Sequence, residues 1–456
     1  MNIPDLTARY RAGTDPATIV HATYDRIDAR GDDHVWITLR SRADVLADAA
    51  ALTRRWPDPA TRPPLWGVPF GVKDSLDVAG IPTTVACPAY AYVPDRTAPL
   101  VRRLLDGGAL LVGKTNLDQF ATGLSGMRSP YGTPESPLVP GLVCGGSSSG
   151  SAVAVGAGLV PFAVATDTAG SGRVPAVLTG TVGFKPTRGL VSTLGLVPAC
   201  ESIDCASVIA RTVADACAVL SVMAGPEPGD PWSRDFPGPG AVPADTGPLR
   251  VGVPDHPEFH GDAAAAAGFG DAVARLDALG HTAVPVDLRP FLAAGRLLYD
   301  GPWVAERLAV FGDFLADHGD DLHPVTRRVL STGGSLTAVD AFRGLHRLQT
   351  LKAATRPVWD AVDVLAVPTV PTTFTRAEMA ADPIGRNTVL GHYTMFANLL
   401  DLAAVAVPAG TTATGRPHGV TFLGPAGSDA VIAGAAAGFT GETARHNAVA
   451  VTPHAG

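Results

Sequence analysis

The chain has 456 residues, 46% hydrophobic and 17% charged, with a formal net charge of −8. That is ample for a large buried core, as one big α/β domain or two smaller ones, and the acidic balance gives no support to nucleic acid or an anionic membrane surface as partner. The start, Met1-Asn2-Ile3-Pro4-Asp5-Leu6, lacks a basic region followed by an apolar run, so no secretory signal is read and a cytoplasmic location is expected. The cysteines Cys87, Cys144, Cys200, Cys205 and Cys217 form no C-x-x-C pair, and the histidines make no H-E-x-x-H. Neither a disulfide scaffold nor a metal site is therefore expected.

In chain order, Thr14-Asp15-Pro16 caps a predicted helix running to about Arg30, and Ser41 to Arg55 forms a second. Pro63 to Gly71 reads as a turn-rich lead into a short strand. Thr97 to Asp106 is predicted helical, Ala109 to Gly113 a strand, and Asn116 to Thr122 a short helix. The Gly/Ser cluster Gly145 to Ser151 leads into a helix over Ala152 to Leu159, and Pro161 to Thr166 is strand-like. The apolar stretch Ser151 to Ala165 is too short to span a bilayer and reads as buried helix or strand. Gly225 to Gly247, dense in Pro and Gly, reads as an exposed connection. Strand, helix and strand follow at Leu249–Val253, Ala264–Leu279 and His281–Val286, which suggests further α/β layers. Leu297–Phe314 and Ala338–Val358 read as helices, and Val364–Val367 and Ala403–Val407 as short buried strands.

The chemistry concentrates between residues 61 and 220. Only four of the 35 basic residues are lysines, namely Lys73, Lys114, Lys185 and Lys352, and three of these lie in that interval. A biased genome composition produces such a ratio by itself. A buried Lys, however, can lose its proton where Arg cannot. The loop Asp167-Thr168-Ala169-Gly170-Ser171-Gly172-Arg173 places small residues, whose N–H groups can converge, beside one hydroxyl. A serine nucleophile needs a base and donors for the oxyanion, although the run taken alone is equally an ordinary tight turn. Gly146-Ser147-Ser148-Ser149-Gly150 also satisfies G-x-S-x-G with Ser148 at its centre, but that motif needs a strand directly before it. Pro137 to Cys144, with two prolines and a glycine, is a poor one.

Gly67-Val68-Pro69-Phe70-Gly71-Val72-Lys73-Asp74, the Gly/Ser cluster and Thr166 to Ser171 together resemble the amidase-signature family, as do Gly113 to Phe120 and Gly183 to Gly189. The resemblance implies a central mixed β-sheet covered by helices, in a single domain with an N-terminal helical segment (1–60), a signature core (61–220) and a remaining α/β part (221–456). It implies Ser171 as nucleophile, Ser147 as relay and Lys73 as general base, with the N–H groups of Thr168, Ala169, Gly170 and Ser171 as oxyanion hole. No cofactor is implied. Asp167 and Arg173 flank the loop as a bracing pair or as a surface ion pair, and Lys114 and Lys185 are expected to be structural.

Within that family, Thr122 to Gly132, Asp167 to Ala176, Val197 to Cys205 and Leu298 to Arg307 are similar to the allophanate hydrolases. Tyr299 and Arg307 are the substrate-binding residues this implies, about two helical turns apart and so able to share a face, with Gly126 and Arg128 as further candidates. An Arg grips a carboxylate with two bonds. The C-terminal domain of full-type members is expected to be absent. The resemblance also implies a small-molecule substrate and a functional link to a urea carboxylase, and it leaves a homodimer open. Rival readings are an amidase for another small anionic amide or ureide, such as biuret or malonamate, and a glutamyl-tRNA amidotransferase-like subunit.

Overall fold

The computed structural model describes residues 1–442. Among them run eleven strands: β1 (Trp36–Leu39), β2 (Pro69–Lys73), β3 (Leu110–Thr115), β4 (Phe162–Thr166), β5 (Val182–Lys185), β6 (Ala206–Ala210), β7 (Arg250–Pro254), β8 (Thr282–Val286), β9 (Val364–Pro368), β10 (Leu402–Thr411) and β11 (Pro417–Pro425). They form one sheet in the order β1-β3-β2-β4-β6-β5-β10-β11-β9-β7-β8. Two parallel blocks, β3-β2-β4 and β9-β7-β8, are joined through an antiparallel centre. The sheet is thus mixed, and it takes strands from both sides of residue 220.

The parallel block β3-β2-β4 positions the site. Its strands are buried throughout, as expected of parallel strands covered on both faces. Phe70 and Phe162 face each other across β2 and β4 with ring centroids 5.2 Å apart. That pair fixes a register in which Lys73 and Thr166 emerge together at the carboxyl ends of their strands. Small residues bring the helix Ser149–Gly156 onto this end of the sheet. A Cβ at Gly150 would lie 2.4 Å from the Val35 carbonyl oxygen and 2.5 Å from the Asn116 nitrogen.

Most predicted elements recur with shifted ends. The first helical caps hold: Asp15 accepts from Ala17 N–H at 2.8 Å and Ser41 from Asp44 N–H at 3.1 Å. The structure adds a helix at Ile3–Arg11 and the strand β1 to the N-terminal segment. Between Asn116 and Thr122 only a single tight turn forms, at Gln119–Ala121, with Phe120 at φ +53°. The Asn116 side chain accepts from Leu117 N–H and donates to the distant carbonyls of His34 and Gly132, and its local bond competes with a helix. The predicted helix Leu297–Phe314 is in fact two, Arg289–Asp300 and Trp303–His318. Gly301-Pro302 interrupts it, because proline carries no N–H to continue the ladder.

Candidate active site

The carboxyl ends of β2 and β4, with the loops that follow, gather the chemistry at one place, as open parallel sheets do. Lys73 ends β2 and is buried. Its Nζ lies 2.8 Å from Ser147 Oγ and 2.7 Å from Thr166 Oγ1. Desolvation by burial pulls the Lys73 pKa down to about 7, against the pull of Asp118, Asp204 and Asp167 upward. Burial thus favours the neutral amine at this position.

Ser147 follows a cis peptide bond from Gly146. Its carbonyl accepts from Asp118 N–H at 2.9 Å, and the next N–H, of Ser148, donates to the Ser171 carbonyl at 3.3 Å. That bond ties the cluster holding Ser147 to the loop holding Ser171. No strand leads into Ser148; it sits just ahead of the helix Ser149–Gly156, with its hydroxyl bonded to the Thr166 carbonyl at 3.2 Å. The nucleophile-elbow alternative therefore lacks the geometry it requires.

Asp167 organises the Ser171 loop. Its carboxylate accepts from Gly170 N–H at 2.8 Å, from Gly172 and Arg173 N–H at 3.2 Å, and from Arg173 Nε and Nη2 at 2.8 and 2.9 Å. Both side chains are fully buried, so the pair braces the loop and is not a surface ion pair. This geometry corrects the expected oxyanion set: the Gly170 N–H is already committed to Asp167. Those of Thr168, Ala169 and Ser171 have no hydrogen-bond acceptor among the described residues. Gly170 instead serves the turn, at φ +120°, where a Cβ would lie 2.2 Å from Thr394 Oγ1. Asn398 Nδ2 bonds the Asp167 and Ile203 carbonyls at 2.6 and 2.7 Å. Thr394 Oγ1 donates to the Ala169 carbonyl at 2.7 Å. Both residues lie more than 200 positions downstream, and neither carries a local sequence signal.

Lys114 and Lys185, both expected to be structural, are buried and held by protein partners. Lys114 pairs with Asp74 at 3.0 Å, and Lys185 donates to the Pro186 carbonyl at 2.8 Å.

Tyr299 and Arg307 meet, although not on one continuous helix: the Arg307 guanidinium carbon lies 5.5 Å from the Tyr299 ring centroid. Arg307 is 1% exposed, and its Nη1 donates to Thr122 Oγ1 at 3.0 Å. Its Nε and Nη2 are buried with no hydrogen-bond partner among the described residues. Arg128 differs. Its Nη1 and Nη2 are spent on the Thr122 and Pro383 carbonyls at 2.8 and 2.7 Å. Gly126 is backbone packing: its N–H goes to Asp118 Oδ2 at 3.0 Å, and a Cβ would lie 2.6 Å from the Gly145 carbonyl oxygen. A cavity of about 280 Å³ lies beside these residues, lined by Arg128, Tyr299, Val304, Arg328, Asn387 and Thr388.

The Amidase family model matches residues 18–432. The chain belongs to the amidase family. This amidase is 40% identical over 395 residues to urea amidolyase of Saccharomyces cerevisiae, covering 86% of this chain and 21% of that protein. It therefore spans about a fifth of the length of the urea amidolyases it matches. It is also 35% identical over 423 residues to a glutamyl-tRNA(Gln) amidotransferase subunit of Natronomonas pharaonis, covering 84% of this chain and 97% of that one. Among solved structures, Kluyveromyces lactis allophanate hydrolase superposes with a TM-score of 0.90 at 38% identity, over 96% of this chain and 72% of that one. No helix among the described residues is long and apolar enough to cross a membrane.

Proposed function

We propose that this amidase hydrolyses the terminal amide of allophanate, releasing ammonia and leaving N-carboxycarbamate. Neutral Lys73 accepts the Ser147 proton while donating to Thr166; Ser147 draws the proton of Ser171, whose oxygen attacks the amide carbon. The N–H groups of Thr168, Ala169 and Ser171 hold the oxyanion. The proton returns through Ser147 to the departing nitrogen, and water then cleaves the acyl-enzyme. The observation that carries this reading is the buried Lys73–Ser147 contact at 2.8 Å beside the braced Ser171 loop.

The substrate class rests on Arg307. Two unpartnered N–H groups of a buried guanidinium suit a carboxylate at the far end of a small amide. The likeness to allophanate hydrolase and urea amidolyase supports the same substrate. Allophanate is urea bearing a carboxylate, so a urea-carboxylating activity must supply it; the link to a urea carboxylase and the cytoplasmic location belong to this proposal. Ammonia release should be fastest from allophanate in a panel with biuret, malonamate and glutamine, and Ser171→Ala should abolish it without unfolding the protein. Preference for glutamine together with glutamyl-tRNA would instead favour the amidotransferase reading, which the nearly full-length relatives of that name keep in view.

A further inference from the structure

β4 and β6 pair antiparallel as far as Thr166 and Ala206. One step on, Asp167 N–H donates to the Cys205 carbonyl at 2.8 Å. The next residues across are Thr168 and Asp204, and here the contact passes between side chains: the Thr168 hydroxyl donates to Asp204 Oδ1. Asp204 Oδ2 accepts from Ala199 N–H at 2.7 Å and Cys200 N–H at 3.1 Å. Asp204 is 3% exposed, and no cationic side chain is hydrogen-bonded to it among the described residues. A buried carboxylate of this kind costs stability. The fold retains it beside the loop that carries the proposed nucleophile.

We propose that Asp204 is a positioning residue that fixes the Thr168 N–H in the oxyanion hole and joins that loop to the segment packed against the Arg307 helix. The second half of the link is explicit. Cys200 Sγ–H donates to the Trp303 carbonyl at 3.5 Å. Ser202 N–H and Oγ–H donate to Glu306 Oε1 and Oε2 at 2.7 and 2.8 Å. Trp303 and Glu306 lie on the helix that carries Arg307. One carboxylate thus connects the place where charge develops to the element that would grip the substrate's other end.

Asp204 also acts through its charge. Burial lifts its pKa to about 6, against the Thr168 hydroxyl and the Cys200 and Ala199 N–H groups; Arg307 is the cation that faces it. Above that pH it is an anion, and with Asp118 and Asp167 it raises the proton affinity of Lys73. Removing the anion must lower that affinity further and move the acid limb of the rate profile downward.

The inference rests on the amide-hydrolysis reading, and the test separates the two. In Asp204→Asn, kcat per folded site should fall about 10- to 100-fold, with a smaller change in KM. The acid limb should move to lower pH. An unmoved limb would overturn the inference, because a merely structural defect lowers the folded fraction and leaves the limb in place. If that variant does not fold, Thr168→Val and Thr168→Ser decide the matter. The valine variant, without a hydroxyl, should be at least about tenfold slower than the serine variant; equal rates would overturn the proposal. A wild-type profile with no limb near neutrality would count against Lys73 as base, and the Thr168 pair would still decide the role of Asp204.

Discussion

Replacing Arg307 should separate recognition from stability. Its guanidinium is buried, with Nη1 on the Thr122 hydroxyl, the Tyr299 ring beside it, and Nε and Nη2 unpartnered among the described residues. Truncating one partner of a buried, hydrogen-bonded charge pair costs about 2–5 kcal/mol, which is roughly 30- to several-thousand-fold in kcat/KM. The upper part of that range applies if both free N–H groups take the carboxylate, and the lower part if only one does. Arg307→Met should therefore lose at least about 30-fold with allophanate, and a neutral amide of similar size should lose only a few-fold. Some of the loss reflects the stranded substrate charge and not the bonds themselves. Without substrate the sign reverses: the mutation removes a buried charge with two unsatisfied donors, so the melting temperature should hold or rise. The assay is ammonia release at limiting substrate for the two amides, with thermal unfolding of the free protein alongside. Equal losses for both amides, or a steep drop in melting temperature, would show that Arg307 supports the fold, and the recognition argument would fail.

Lys73→Arg should be nearly as inactive as Lys73→Ala, and wild-type acylation should decline as pH falls below about 7, where burial places the Lys73 pKa; an Arg variant within a few-fold of wild type would contradict a proton-accepting role. The same shift has a stability consequence. Between about 7 and the ordinary lysine value of 10.5, the unfolded chain holds a proton that the folded chain lacks, so wild-type stability should rise with pH relative to Lys73→Met, by up to about 1.4 kcal/mol per unit. Denaturant midpoints across that range check the sign. Asp167→Asn strands the buried Arg173 guanidinium and should cost about 3–5 kcal/mol in urea unfolding; a loss under about 1 kcal/mol would mean the loop is braced elsewhere.

Much of the site is legible in the sequence because its chemistry is local. Ser147 and Ser171 sit in runs whose small residues let backbone and hydroxyls approach closely, Lys73 closes a short run punctuated by Gly and Pro, and those runs keep their spacing whatever the rest of the chain does. The strands β2, β3 and β4 are legible for a related reason: they are short apolar runs bounded by Gly and Pro. The strands β5, β6 and β11 are not. They are buried stretches without alternation, and periodicity alone does not tell these from buried helix.

What the sequence determined by itself was the candidate set of reacting groups and the class of the sheet. What only the tertiary structure decided was where each polar group is spent. Arg128 and Arg307 are alike as sequence, yet the fold closes the Nη groups of one on carbonyls and leaves two donors of the other open. Tyr299 and Arg307 meet across a broken helix and not along a continuous one. Asp204 gains its place opposite Thr168 from the β4–β6 register alone. Residue type sets what a group can donate or accept; which partner arrives first depends on long-range packing, and no local window of sequence contains it.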